Sequence, residues 1–246
     1  DGVRLISRIW LPTNNDGPWP ALLMRQPYGR EIASTITYSH PEWWASKGYM
    51  VIIQDVRGMG SSEGVYNGFS QEASDNSETH EWVRSLKECN GKLGLYGFSY
   101  QGFTQLTGEL NSKPPDCLSP AMTGINIKDH WCSDGGAYWW HNNIAWGLQI
   151  AALKMKRENN LFEWGKIRLA LENKSYLREG IDILKKYDPD SFILEWLKNL
   201  NYGRPFEEFK PISTWIKQPM LIIGGLWDPH LKGAFDLYKK SKEAGG

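Results

Sequence analysis

The chain has 246 residues, enough for one substantial hydrophobic core with a smaller inserted or appended unit. Its 28 basic and 28 acidic residues balance, which argues against nucleic acid, a membrane surface or an acidic substrate as partner and favours a small or uncharged molecule. The three cysteines (Cys89, Cys117, Cys132) lack CxxC spacing and indicate neither a disulfide framework nor a zinc site, so we expect a reducing, cytoplasmic location.

Short apolar runs alternate with helical stretches, which predicts a mostly parallel α/β sheet with crossover helices. The predicted strands are Ala21–Met24, Met50–Ile53, Lys92–Tyr96, Cys117–Met122 and Met220–Ile223, preceded by an antiparallel edge strand within Val3–Leu11. Helices are expected at Pro41–Lys47 and at Glu78–Leu86.

A long, mostly helical stretch separates the last two strands. We therefore predict an α/β core in residues 1–124, an inserted helical cap in 125–214, and a second, incomplete part of the core in 215–246. Ordinary peripheral helices remain an alternative to the cap. Tryptophans cluster between Trp131 and Trp146, where large amphipathic rings fit either a core or the wall of a pocket.

A candidate nucleophile lies where the run from Lys92 ends. The segment Gly97–Gly102 reads GFSYQG and precedes a helix-like stretch, Phe103–Leu110, which is the setting of a nucleophile elbow around Ser99. In such an elbow the serine backbone is strained, and its close neighbours must be glycine to avoid collisions. The alternative is a serine that merely caps a helix.

A literal G-x-S-x-G search instead finds Gly60–Gly64, which reads GSSEG. We reject this match because the preceding strand ends several residues earlier and no helical pattern follows. The glutamate beside the serine would also oppose an oxyanion.

The candidate acid is Asp228, which follows the apolar strand Met220–Ile223 and a glycine pair. Such an aspartate would orient a histidine and stabilise its imidazolium form. Its alternative role is to cap a helix that starts at Leu231. In α/β-hydrolases the histidine follows the acid by a helix and a strand, and His230 lies too close to Asp228 to serve.

Several segments in the right order resemble the family of cocaine esterase, α-amino acid ester hydrolases and Xaa-Pro dipeptidyl peptidases (CocE/NonD). These are the elbow GFSYQG, an opening DGVRL, RQPY at Arg25–Tyr28, QDVRG at Gln54–Gly58 followed by SEG at Ser62–Gly64, and DGGA at Asp134–Ala137. The resemblance covers essentially the whole chain.

The resemblance implies an α/β-hydrolase core that continues beyond Gly246 into a final strand, the catalytic histidine and a β-sandwich domain. It implies that the Tyr100 N–H and the Tyr28 hydroxyl bind the oxyanion. It places Trp146 against the substrate and His230 at a position where the family has an aromatic residue of the acyl pocket. Asp134 could anchor a substrate amino group, although we prefer a helix-start cap for it.

The resulting hypothesis is a serine hydrolase that cleaves small esters or amides through an acyl-enzyme on Ser99, without a cofactor or a metal. The alternatives are an Xaa-Pro dipeptidyl peptidase and a non-catalytic binding module on the same fold. We expect the 246-residue chain alone to be inactive. The sequence leaves the oligomeric state open.

Overall fold

The computed structural model describes residues 1–13, 16–31, 38–203 and 211–246. Its central sheet contains β1 (Ser7–Trp10), β2 (Trp19–Gln26), β3 (Met50–Asp55), β4 (Cys89–Phe98) and β5 (Cys117–Ala121). The strand order is β1-β3-β2-β4-β5, with β1 antiparallel to β3 and the other neighbours parallel. The predicted mostly parallel sheet with an antiparallel edge strand is confirmed.

The predicted last strand also lies in this sheet. Met220 and Ile223 form parallel bridges to β5, although the regular ladder between them is interrupted. Leu221 is 62% exposed and Ile223 43% exposed, because among the described residues only the β5 side of this segment is paired.

The helices and a small hairpin complete the fold. They are α1 (Pro41–Ala45), α2 (Glu72–Ser85), α3 (Tyr100–Phe103), the hairpin β6 (Ser133–Asp134) and β7 (Ala137–Tyr138), α4 (Trp140–Arg157), α5 (Leu161–Glu172), α6 (Tyr176–Glu179), α7 (Ile181–Tyr187), α8 (Phe192–Asn201), α9 (Ser213–Ile216) and α10 (Leu231–Ala244). None of these described helices combines the length and apolar character that a bilayer span requires.

The sheet is covered on both faces. All six residues of β3 are buried, and its four apolar residues alternate between two hydrophobic clusters. Met50 and Ile52 pack with residues of α2 and α10, whereas Val51 and Ile53 pack with α1. This double coverage explains why the parallel strands appear in the sequence as continuous apolar runs.

Helix α2 begins at Glu72, six residues before the predicted start at Glu78. Its first turns are buried but polar, because the Glu72 carboxylate and the Asn76 amide both accept hydrogen bonds from the Arg25 guanidinium at the centre of the sheet. A polar face directed inward has no apolar periodicity, so the pattern could not show this part of the helix.

Helices α4 to α8 follow the sheet in the region predicted as the cap, of which residues 204–210 lie outside the described part. An aromatic cluster joins them to the core. Phe69 stacks on Phe103 from the core and meets Trp131, Trp146 and Trp196 from the helical region, with ring centroids 5.1, 6.0 and 5.8 Å away. Trp131 and Trp146 therefore pack in the hydrophobic core, and both also line the cavity described below.

Candidate active site

Ser99 occupies the sharp turn between β4 and α3. Its backbone angles are φ 55° and ψ −124°, a conformation that residues with a side chain rarely adopt. The turn is held by Ser99 N–H, which donates to the Ala121 carbonyl of β5 at 2.9 Å, and by the Ser99 carbonyl, which accepts from Gly102 and Phe103. The predicted elbow geometry is confirmed, and Ser99 makes no side-chain cap to the helix.

The glycines of the elbow are required by close packing. A Cβ on Gly97 would lie 2.4 Å from Gln101 Cβ, and one on Gly102 would lie 2.8 Å from Thr123 Cβ. Gly97 also has a φ of 141°. The helix that follows is shorter than predicted, because regular structure ends at Leu106 and Thr107 is already extended.

Tyr100 contributes its backbone and its side chain separately. As the first residue of α3, it has a backbone N–H without an acceptor in the helix. Its side chain is fully buried and turns away from Ser99, with the hydroxyl 2.8 Å from both the Gly68 carbonyl and the Glu72 carboxylate. The buried Glu72 and Arg25 thus fix the residue whose N–H was predicted to bind an oxyanion.

Tyr28 lies in the loop after β2, close to the Ser99 and Trp146 side chains. Burial raises the pKa of Tyr28 to about 12, against the opposing effect of the neighbouring Trp146 and Ser99 side chains. The phenol is therefore a protonated hydrogen-bond donor at neutral pH. Its backbone N–H donates to the Gln26 side chain at 3.0 Å, which fixes the turn.

Asp228 follows the bridge-forming segment at the carboxyl edge of the sheet. The residue is 9% exposed, and its Oδ1 accepts the His230 backbone N–H at 2.8 Å. The alternative that Asp228 caps α10 is wrong. His230 occupies the N-cap position of α10, and that helix has no side-chain capping hydrogen bond. Oδ2 is buried without a hydrogen-bond partner among the described residues. A buried carboxylate oxygen is costly unless a donor reaches it, so Oδ2 marks a place for a donor.

All five histidines of the chain are described, and none contacts Asp228 Oδ2. Their rings contact Glu42 (His40), Trp215 (His80), Asp236 and Lys232 (His130), Tyr176 (His141) and the His130 carbonyl (His230). Within the described part of the chain, none of these histidine rings therefore links Asp228 to Ser99.

A cavity of about 430 Å³ opens at Ser99. Its lining consists of Tyr28, Ser99, Trp131, Asn142, Ala145, Trp146, Gln149, Leu171 and His230. Three of the predicted substrate or oxyanion residues, Tyr28, Trp146 and His230, thus line one cavity with Ser99. The walls are mostly aromatic and apolar, with a few polar groups, as in pockets for small organic molecules.

Sequence reasoning missed the two amide side chains of this cavity, Asn142 and Gln149. They share one face of α4 with Ala145 and Trp146, which also line the cavity. Steps of three or four residues along the helix from Trp146 could have found both amides. Leu171, contributed by α5, carries no such signal.

Asp134 lies elsewhere. It is an exposed residue of the β6–β7 hairpin and is not part of the cavity lining. The helix-start cap preferred for it is wrong, because α4 begins at Trp140, six residues later. Its role as an anchor for a substrate amino group stays a prediction. Within the described residues, no group of three or more His, Cys, Asp or Glu side chains could hold a metal ion.

Comparison with known proteins gives three related results. Cocaine esterase from Rhodococcus sp. (strain MB1 Bresler) is 30% identical over 154 residues, which are 61% of this chain and 27% of that protein. An aminopeptidase from a marine sediment archaeon of the Thaumarchaeota superposes with a TM-score of 0.69 at 20% identity, over 99% of this chain and 44% of its own. A CocE/NonD family hydrolase from Staphylococcus aureus gives the same TM-score and identity, over 97% and 42%.

These structural likenesses establish the α/β-hydrolase fold, and the chain spans less than half the length of each protein just named. The sequence profile of the X-Pro dipeptidyl-peptidase (S15) family, a family of hydrolases, matches residues 1–245. The match includes the elbow, the Tyr28 turn, the helical region and the Asp228 loop. The chain therefore belongs to the X-Pro dipeptidyl-peptidase (S15) family.

Proposed function

We propose that the protein is a serine hydrolase of small esters or amides that forms an acyl-enzyme on Ser99. The observation that carries this proposal is the position of Ser99, which stands at φ 55° in a glycine-flanked elbow and shares one cavity with the Tyr28 phenol. A serine in a strained turn, partly exposed to the cavity and beside a protonated donor, is suited to attack on a carbonyl carbon.

The chemistry follows from these groups. The Ser99 hydroxyl loses its proton to a base and its oxygen bonds to the acyl carbon, so that the carbonyl oxygen becomes an oxyanion. The Tyr100 N–H and the Tyr28 hydroxyl donate to that oxyanion. The alcohol or amine then leaves with a proton, and water releases the acyl group from Ser99 by the same route in reverse.

The base in this scheme is a histidine oriented by Asp228. Support comes from the buried Oδ2, which needs a donor that none of the five histidines supplies. We therefore expect the isolated 246-residue chain to hydrolyse 4-nitrophenyl esters undetectably or nearly so. Turnover by this chain that Ser99→Ala abolishes would contradict the expectation.

The experiment that tests the function is 4-nitrophenyl acetate hydrolysis by the natural full-length protein and by its Ser99→Ala variant. We expect kcat to fall about a thousandfold or more, as for the loss of a triad nucleophile. Ser61→Ala, from the rejected GSSEG match, is the matched control and should keep wild-type activity. Equal rates for Ser99→Ala and wild type would overturn the proposal and favour a binding module.

Release of Xaa-Pro dipeptides is the second candidate, because the matched family profile carries this activity in its description. Both activities use the same acyl-enzyme, so the elbow and the acid do not separate them. Comparison of kcat/KM for Ala-Pro-4-nitroanilide and for 4-nitrophenyl butyrate decides between them. A higher value for the anilide would replace the esterase assignment.

A further inference from the structure

His230 projects into the cavity at Ser99 and is 6% exposed. Its backbone N–H donates to Asp228 Oδ1, whereas its ring contacts other residues. The ring centroid lies 4.3 Å from that of Trp131 and 5.8 Å from that of Trp139. Two indoles therefore pack against a polar ring in a mostly apolar wall.

The tautomer of this ring is determined by one contact. Nδ1 lies 2.6 Å from the His130 carbonyl oxygen, and because a carbonyl can only accept, Nδ1 carries the proton. In the neutral ring Nε2 then has a free lone pair. Among the described residues, nothing donates a hydrogen bond to Nε2.

His130, the residue that supplies this carbonyl, is held by contacts of its own side chain. The ring of His130 accepts the Ile125 N–H on Nδ1 at 3.1 Å, and its Nε2 lies 2.9 Å from the Asp236 carboxylate of α10. Both edges of the His130 ring are therefore held, which restrains the residue whose carbonyl accepts from His230. The His230 ring is thus restrained by two indole contacts and by the hydrogen bond at its Nδ1 edge.

Burial lowers the pKa of His230, although the His130 carbonyl and the Asp228 charge oppose the shift. The ring is therefore neutral at physiological pH. A neutral imidazole with Nδ1 protonated is a hydrogen-bond acceptor, not a cation.

We propose that His230 determines acyl specificity: its Nε2 accepts a hydrogen bond from a hydroxyl group on the acyl chain bound at Ser99. The protein should therefore prefer esters of hydroxy acids to esters of the corresponding acids that lack the hydroxyl group. A desolvated acceptor left without a donor is costly, so an apolar acyl group of the same size binds less well in the transition state. The inference rests on the proposed hydrolase function.

The test uses the natural full-length protein with 4-nitrophenyl pentanoate and its 2-hydroxy and 3-hydroxy derivatives. The quantity of interest is the ratio of kcat/KM for each hydroxy ester to that for the plain ester, in wild type and in variants. Division of the wild-type ratio by the variant ratio cancels the intrinsic reactivity of each ester. We expect His230→Phe to lower the ratio for at least one hydroxy ester about tenfold, the effect of one lost hydrogen bond to a desolvated group.

Two further variants separate specificity from folding. His230→Gln keeps an acceptor near the position of Nε2 and should restore part of the ratio, whereas His40→Phe, at an exposed histidine far from the cavity lining, should leave it unchanged. Ratios that stay within twofold of wild type in His230→Phe for both hydroxy esters would overturn the proposal.

Failure of the hydrolase function gives a different result, namely no Ser99-dependent turnover of any ester. The specificity is then read by calorimetric binding of pentanoate, 2-hydroxypentanoate and 3-hydroxypentanoate to wild type and His230→Phe. Tighter binding of a hydroxy acid that disappears in His230→Phe would support the acceptor role alone. Equal binding, or no binding of all three acids, would overturn it.

Discussion

The elbow at Ser99 and the loop at Asp228 are both needed by the proposed chemistry, yet they are built differently. The elbow residues Tyr100 to Phe103 are buried, and Ser99 is held by backbone hydrogen bonds to β5 and α3. In the acid loop, Leu226 is 85% exposed and Trp227 99% exposed, and one oxygen of the buried Asp228 lacks a partner among the described residues. Ser99 is thus positioned by the residues around it, whereas none of the described residues donates a hydrogen bond to one oxygen of Asp228.

The largest effect should come from replacing Asp228. Asp228→Asn in the natural full-length protein should lower kcat for ester hydrolysis about 10⁴-fold, as for the acid of a Ser-His-Asp triad. The melting temperature should not fall, because Asn keeps the Oδ1 acceptor for the His230 N–H and removes a buried charge. Asp182→Asn, at a carboxylate that is 84% exposed, is the control. A drop in melting temperature with little loss of kcat would make Asp228 a structural residue.

The next-largest effect should be a loss of stability when a glycine of the elbow is replaced. Gly97→Ala introduces a Cβ 2.4 Å from Gln101 Cβ at a φ of 141°. We expect the free energy of unfolding of the 246-residue chain to fall by about 3 kcal/mol or more, as measured by urea denaturation. Gly165→Ala in α5, where a Cβ would meet nothing within 4 Å, should raise it by up to about 1 kcal/mol. Similar effects of both changes would mean that the elbow is not tightly packed.

Tyr28→Phe removes one oxyanion donor without removing the ring from the cavity. In the natural full-length protein we expect kcat to fall about 10²-fold to 10³-fold with little change in KM, because the hydrogen bond strengthens in the transition state. Since the pKa of Tyr28 is about 12 and the protonated phenol is the donor, wild type should keep this contribution at every pH below that value. Tyr238→Phe on the exposed side of α10 should behave as wild type. A rise in KM at constant kcat would indicate ground-state binding only.

The smallest effect should be at the tip of the acid loop. Trp227→Ser changes a side chain that is 99% exposed, so the free energy of unfolding of the 246-residue chain should change by no more than about 0.5 kcal/mol. Trp131→Ala, at a side chain that is 3% exposed, should cost about 3 to 5 kcal/mol in the same assay. A large loss in Trp227→Ser would show that the loop is held by its own contacts, and the contrast with the elbow would fail.

The features that sequence reasoning found are those whose causes are local. The elbow was predictable because the collisions that demand Gly97 and Gly102 arise within a few residues of Ser99 or on the neighbouring strand. The position of Asp228 directly after a sheet segment was predictable from the apolar strand and the glycine pair before it, and its role as the acid stays a prediction. The strands were predictable because burial on both faces leaves unbroken apolar runs.

The features that were missed depend on what lies opposite in space. The buried start of α2 is polar because Arg25, far away in the chain, faces it. Tyr28 looked like a turn residue, and only the family resemblance indicated its place beside Ser99. The aspartate at position 134 stands on a hairpin because the chain turns at two glycines before α4 begins, which a search for helix starts could not show.

The cavity wall on α4 has a consequence for protein engineering. Asn142, Ala145, Trp146 and Gln149 come from one surface of one helix, so a combinatorial library at these four codons would vary the volume and polarity next to the nucleophile together. None of the four belongs to the sheet or to the elbow, although Trp146 also packs against Phe69 and Tyr100, so the codons for Asn142, Ala145 and Gln149 can be varied with the least change to the residues around Ser99. This helix is therefore the natural starting point for directed evolution of new acyl preferences.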